Sequence, residues 1–363
     1  MEIKVTHNTL LTAIELVGKI STKHVTLPVL QCVKITADKK IFFASTNLEV
    51  SIVVPIDGEV IVPGTVTIPA HLLLQSIQYI TDTNILLRVE DGVLQIETKN
   101  ATTSINVFSD EDFPTIHEVP GEGSQLQAEL FAFGIKSVAF AASQTSIKPE
   151  LGSIFIQQKK EHSLTFVATD SFRLMEKTVA QKSFILEQPI MIPQKNALEL
   201  ARVAEQLGGE VVCVVTETQC ALKFTSGVYI ATRLVAGSFP DYTQIIPKEF
   251  STQVHVLKGD LQRSFKKTSV FLNKFRQVSV TVTEQSLTIS SQNSGVGHTT
   301  DTIPAKVNGD EIRLNFNQQY IMDPLQHMVD DTVTLKFAGL GRALVMTGTS
   351  DESLRYLVMP MNK

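Results

Sequence analysis

The run Thr165-Phe166-Val167-Ala168-Thr169-Asp170 reads as a strand that ends in a polar turn. β-Branched and aromatic residues suit a pleated sheet, and the polar pair Thr169-Asp170 marks the turn. The same text recurs as Phe42-Phe43-Ala44-Ser45-Thr46-Asn47 and as Leu287-Thr288-Ile289-Ser290-Ser291-Gln292. Its surroundings recur too. Upstream of each strand lies an amphipathic helical pattern, carried by Leu10, Leu11, Ile14 and Val17, by Leu130, Phe133, Val138 and Phe140, and by Leu261, Phe265 and Val270. Spacings of three and four predict helices with one buried face.

Downstream, each copy has a short apolar strand leading into a second helix, over 72–80, 197–207 and 320–328. Pro69 and Pro193 stand where a missing N–H costs little, and Asn317 is a good N-cap. Closing hairpins run from Val93-Leu94-Gln95-Ile96 to Phe113-Pro114 and from Ala221-Leu222-Lys223-Phe224 to Phe239-Pro240; the third copy ends on Leu354-Arg355-Tyr356-Leu357-Val358-Met359-Pro360. The chain is thus an internal repeat of about 120 residues, present three times.

Two helices and roughly eight short strands per copy predict α+β domains with helices on one face of antiparallel sheets. The expected domains are 1–121, 125–247 and 248–363, with linkers at Pro120-Gly121-Glu122-Gly123 and Pro247-Lys248-Glu249. Duplicated domains need share no task. Three similar units on short linkers nevertheless tend to form an arc, which a second arc can close.

Composition sets further bounds. The 363 residues are 43% apolar and 19% charged, a globular balance. Short apolar runs such as Val211-Val212-Cys213-Val214-Val215 reach only strand length, and charges interrupt the first twenty residues, so neither a signal peptide nor a membrane span is expected. Cys32, Cys213 and Cys220 lack metal-type spacing and suit a reducing cytoplasm as buried thiols. A net charge of −5 does not advertise nucleic-acid binding, although an acidic exterior around a basic channel gives the same sum.

No nucleophile elbow, Walker loop or paired-His metal helix is present, so no catalytic residue, metal or cofactor is assigned. Gly339-Leu340-Gly341 is half of a dinucleotide fingerprint followed by strand text, and reads as a hairpin turn. Asp110-Glu111-Asp112 reads as a solvated turn.

Over essentially its full length the chain resembles the beta subunit of bacterial DNA polymerase III, the sliding-clamp family. The resemblance rests on Thr26-Leu27-Pro28-Val29-Leu30, Thr46-Asn47-Leu48-Glu49, Ala168-Thr169-Asp170-Ser171-Phe172-Arg173-Leu174, Ser238-Phe239-Pro240-Asp241-Tyr242, Asn273-Lys274-Phe275-Arg276 and Tyr356-Leu357-Val358-Met359-Pro360-Met361, in that order on the repeat. It implies a non-catalytic, head-to-tail homodimer whose six clamp domains encircle duplex DNA, with helices lining the hole and sheets outside. It further implies loading by a separate ATP-driven loader.

The resemblance also implies a peptide cleft for polymerase and clamp-loader subunits between the second and third domains. Its expected walls are Leu151, Thr169, Ser171, Phe172, Arg173, Leu174 and Pro247, with Tyr320, Leu357, Val358, Met359, Pro360 and Met361; Gly341 and Ala343 align less closely. Flexible methionines suit a site that accepts several partners, and either Arg173 or the terminal backbone is expected to fix the peptide's polar part. Read alone, an apolar C-terminal strand is ordinary core. Ser171 and Phe172 depart from the Gly and His often found there, so Phe172 is expected to narrow the pocket or shift its preference.

Expected DNA contacts are Lys23, His24, Lys148, Lys195, Arg202, Lys266 and Lys267, within a sparse basic set that also includes Lys19, Lys136 and Arg263. His24 and Lys148 stand where family members often carry Arg, which trades a fixed fork of donors for a weaker contact. The dimer is expected to join 269–275 of one copy to 102–108 of the next. Two rival readings are a divergent paralogue with altered partners and a small-molecule hydrolase on duplicated domains.

Overall fold

The structure, a computed structural model, describes residues 1–21, 27–145 and 147–361. Its chain divides into two compact units, Met1–Ala132 with Lys195–Leu234, and Phe133–Gln194 with Val235–Lys363. Six α-helices are described: α1 His7–Gly18, α2 Ala70–Ile77, α3 Ala128–Val138, α4 Gln194–Leu207, α5 Lys258–Thr268 and α6 Gln318–Met322.

The first unit holds a five-stranded and an eight-stranded antiparallel sheet. The five-stranded sheet runs Glu59–Val62, Glu2–Thr6, Asn84–Glu90, Val93–Glu97, Thr102–Asn106. The larger sheet runs Ser124–Gln127, Glu210–Val215, Gln219–Phe224, Tyr229–Arg233, Val50–Ile56, Ile41–Thr46, Cys32–Ala37, Gly64–Pro69. Its middle seam pairs strands from the first two sequence copies, Ala231 opposite Ser51 and Ile230 opposite Ile52. Thr6 caps α1 by accepting the Thr9 N–H, and Leu10, Ala13, Ile14, Leu16 and Val17 are buried.

The second unit holds a nine-stranded and a four-stranded sheet. The nine strands run Ile190–Pro193, Ser153–Gln157, Ser163–Thr169, Arg173–Ala180, Leu354–Val358, Leu344–Gly348, Thr332–Phe337, Thr252–Leu257, Lys306–Gly309. Here the seam joins the second and third copies, with Leu174 opposite Leu357. The smaller sheet is Gly297–Pro304, Ser286–Asn293, Gln277–Thr283, Ile312–Asn317. Because hydrogen-bonded ladders cross from one copy into the next, compactness follows the ladders and cuts across the sequence repeat.

The α+β reading with antiparallel sheets is what the chain adopts, and three details correct the expected elements. In α3 the buried side chains are Phe131, Ala132, Ile135 and Val138, whereas Leu130 and Phe133 are exposed. Gly134 lets this helix sit on Phe166, since a Cβ there would overlap the ring. Val270 is exposed beyond the end of α5. The helix expected over 320–328 stops at Met322 and continues as a 3-10 turn, Asp323–Gln326, because Pro324 has no N–H to continue the α pattern. The Gly339 and Gly341 positions do form a turn, both at positive φ, between Thr332–Phe337 and Leu344–Gly348. No helix among the described residues is long and apolar enough to cross a membrane, and the three cysteines are buried and free.

Candidate partner-binding site

The turn that follows Ser163–Thr169 is built by its own side chains. Asp170 Oδ1 accepts the N–H groups of Phe172 and Arg173, both at 2.9 Å. Thr169 Oγ1 donates to the Arg173 carbonyl at 2.7 Å and accepts the Ser171 N–H at 3.2 Å. The hairpin is so tight that Ser171 adopts φ 76°, a left-handed conformation that favours glycine. Phe172 is thereby presented to solvent, 62% exposed. Its carbonyl accepts the Met359 N–H at 2.8 Å, which fastens the C-terminal segment to the turn.

Arg173 is bonded within the protein. Its Nε donates to Asp170 Oδ2 at 2.9 Å, Nη1 to Asp323 Oδ2 at 2.5 Å and Nη2 to the Phe140 carbonyl at 2.7 Å. The guanidinium also lies over the Tyr320 ring, 4.4 Å from its centroid, and 5.4 Å from that of Phe140. Three of its donors and a ring face are engaged inside the protein, so Arg173 organises the site from behind. Tyr320 is half-buried in this cluster, and burial followed by Asp170 raises its phenol above the usual range. Beside it, His327 stacks on Phe140 at 5.0 Å, and burial lowers its pKa against the opposing pull of Asp323.

Next to the turn lies an apolar cluster in which Val167, Leu174, Tyr242, Ala343, Val345 and Leu357 are buried. Phe155, Phe239, Ile246 and Phe250 pack against it while remaining partly open. Phe155 and Phe239 stack at 4.6 Å. The Tyr242 hydroxyl donates to Glu176 Oε2 at 2.6 Å, and Lys159 Nζ donates to the same oxygen at 2.7 Å. Burial opposes the Glu176 charge, but these two bonds hold its carboxyl below the usual range. Burial and that carboxylate push the Tyr242 phenol up. The Tyr242 ring is thus pinned from beneath the cluster.

Of the expected wall residues, Leu174 and Leu357 are in this cluster, as is Ala343. Thr169, Ser171, Phe172 and Arg173 form the turn, and Tyr320 stacks on Arg173. Val358 is fully buried opposite Arg173, Met359 is exposed, and Leu151, Pro247, Pro360 and Met361 are half-buried. Phe155, Phe239, Tyr242, Ile246, Phe250 and Val345 went unnamed. Two of the six, Phe155 and Val345, could have been found from the repeat itself.

The first unit contains the same turn. Asn47 Oδ1 accepts from Glu49 and Val50, Thr46 Oγ1 donates to the Val50 carbonyl at 3.0 Å, and Leu48 takes φ 73°. The Arg233 N–H donates to the Glu49 carbonyl as Met359 does to Phe172. Register then equates Phe155, Leu174, Val345 and Leu357 with Lys34, Ser51, Ala221 and Ala231. An identical seam is stable with small and polar residues at these positions. In the second unit the equivalent residues are all apolar, and Phe155 among them stays partly open where the duplicate carries a lysine, an apolar surface that folding of the seam does not require.

Family models for the DNA polymerase III beta subunit match three consecutive segments: the N-terminal domain at 1–117, the central domain at 125–241 and the C-terminal domain at 243–362. The chain belongs to the DNA polymerase III beta subunit family. It is a sliding clamp, a processivity factor of DNA replication and not a catalytic subunit. The beta sliding clamp of Pseudomonas aeruginosa is 27% identical, covering 99% of this chain and 100% of the relative. That of Bacillus subtilis is 24% identical, with 99% of each covered. Among solved structures, the Pseudomonas aeruginosa clamp bound to griselimycin superposes with a TM-score of 0.93 at 24% identity over 100% of both chains. The Thermotoga maritima beta subunit gives 0.94 at 21% identity over 100% of this chain and 99% of that one.

Sliding clamps act on DNA, and the expected contacts divide unevenly here. Lys23 and His24 lie outside the described residues. Lys148 and Lys195 are exposed. Arg202 is turned inward, its Nε to Glu199 at 2.8 Å and its Nη2 to the Leu16 carbonyl at 3.0 Å, where it closes the last turn of α1. Among the described helices, α5 alone presents several cations on one face, Arg263, Lys266 and Lys267. Two of them have acidic neighbours, Asp260 for Arg263 and Asp301 for Lys267 at 3.0 Å.

Proposed function

We propose that two copies of this clamp close head to tail into a ring around duplex DNA and hold polymerases there by topology. A ring needs no strong phosphate contact, and each added Lys or Arg would bring friction along with affinity. That α1 and α2 carry no Lys or Arg, and α4 only Lys195 and the inward-turned Arg202, fits that need. In this reading the repeat copies 1–121, 125–247 and 248–363 are the ring's domains, and the molecule works in the cytoplasm.

Polymerase and clamp-loader subunits insert short linear motifs against the apolar cluster of the second unit, with Phe172 and Met359 at its lip. One observation carries this assignment: the partly open Phe155 beside Leu174, Val345 and Leu357, where the duplicate seam has Lys34, Ser51, Ala221 and Ala231. Retention on nicked circular DNA after loading, before and after linearisation, tests the ring. Loss on linearisation is expected. Equal retention on both forms, or none on either with a competent loader, overturns the mechanism.

A further inference from the structure

The second unit also carries a groove of about 690 Å³, lined by the turn 158–162 and the loop 182–186 and sharing no residue with the apolar cluster. The loop is held firmly. Gln158 Nε2 donates to the Phe184 carbonyl at 3.2 Å, and its Oε1 accepts the Leu186 N–H at 2.8 Å. On the other side, the Gln181 N–H donates to the His162 carbonyl at 2.7 Å, and His162 Nδ1 lies 2.6 Å from the Lys182 carbonyl oxygen. These bonds keep His162 at φ 59°, in the left-handed region. Phe184 and Leu186 are buried as a result, while Ile185 between them is 68% exposed.

The groove's charge is equally one-sided. Lys159, Lys160 and Lys182 line it, against Glu161 alone. Lys159 is engaged with Glu176. Among the described residues, the ammonium groups of Lys160 and Lys182 have no ion-pair partner, in a chain of net charge −5. An apolar side chain held out in water in a groove that two unpaired cations also line matches a segment that alternates carboxylates with apolar residues.

We infer that this groove binds an acidic, extended protein segment, its carboxylates on Lys160 and Lys182 and an apolar side chain on Ile185. A nucleic acid fits less well, because strand-binding grooves stack bases on exposed aromatic rings, and the one aromatic residue of this lining, Phe184, is buried.

The test is fluorescence anisotropy of a labelled peptide of alternating Asp and Leu, titrated with the full chain. Saturable binding that weakens with salt is expected. Lys160→Glu with Lys182→Glu weakens it about tenfold and Ile185→Ser about threefold, while Lys266→Glu with Lys267→Glu leaves it unchanged. A thymidine oligonucleotide run in parallel is expected to be indifferent to the groove substitutions. If the oligonucleotide alone loses affinity on changing Lys160 and Lys182, the groove reads nucleic acid and the proposal is overturned. It is equally overturned if the wild type does not bind the peptide, or if the Lys266 and Lys267 changes weaken binding as much. Should the double Glu variant fail to fold by circular dichroism, Lys160→Gln with Lys182→Gln carries the same test, with a smaller loss expected.

Discussion

Arg173 Nη1 meets Asp323 Oδ2 at 2.5 Å, joining residues 150 positions apart. The pair is mostly buried, with side-chain exposures of 12% and 16%, so removing one partner leaves a carboxylate without a counter-charge. Arg173→Ala should cost about 3 kcal/mol. Arg173→Lys should recover only part of this, because one ammonium cannot serve Asp170, Asp323 and the Phe140 carbonyl in one plane. Melting temperatures of the three proteins check the order wild type, Lys, Ala. An Ala variant as stable as wild type would contradict the organising role.

Phe172 and Met359 contribute little to folding because both side chains are exposed. Phe172→Ala with Met359→Ala should leave the melting temperature within a few degrees of wild type and reduce affinity for a polymerase-tail peptide about tenfold. Isothermal titration with one such peptide measures it. Unchanged affinity would remove the lip from the site.

At Ser171, φ 76° strains any residue with a Cβ. Ser171→Gly should therefore stabilise by up to about 1 kcal/mol, and Ser171→Val should destabilise by more, since a β-branched residue tolerates the left-handed region poorly. Urea midpoints at constant slope separate the two outcomes from wild type. The same substitutions at Leu48 should act in the same direction, because that turn has the same bonds.

These duplicated turns explain how much the sequence could reveal. Thr-Asp and Thr-Asn after a strand specify hydrogen bonds between near neighbours, so the repeat and its turns were readable. Helix phase was less so. In α3, Leu130 and Phe133 keep helical spacing as well as Phe131, Ile135 and Val138 do, and only the close fit of Gly134 on Phe166 decides which face goes inside. The roles of Arg173 and Arg202 depended on Asp323 and on the Leu16 carbonyl, partners that no local pattern brings together. Each arginine is a candidate ligand contact in the sequence and bonds within its own unit in the structure.

Lys266 and Lys267 occupy the last turn of α5, the one described helix whose exposed face gathers several cations. Lys266→Glu with Lys267→Glu should lower affinity for duplex DNA and flatten its dependence on salt, by about one unit in the log–log slope for each phosphate no longer neutralised. Arg202→Ala should leave that slope unchanged and lower the melting temperature instead, since it removes a cap from α1. A slope that responds to Arg202 and not to the α5 lysines would reverse the assignment.

His327 gives the second unit a pH dependence whose sign can be worked out. Burial against Phe140 disfavours the imidazolium, and Asp323 only partly offsets this, so the folded pKa lies below the ordinary 6.5. Between the two values the unfolded chain binds more protons than the folded one. Its contribution is therefore fully present above 6.5 and declines as pH falls toward the folded pKa. Two carboxylates of the same unit, Glu176 and Asp351, are held below their ordinary values of 4.5 and 3.8, away from this window. Wild-type melting temperature should fall as the pH is lowered through the region just below 6.5. His327→Phe keeps the stacked ring, loses the titrating group and should be nearly flat there. If the Phe variant declines as steeply as wild type, another group is responsible and the stack has no part in the effect.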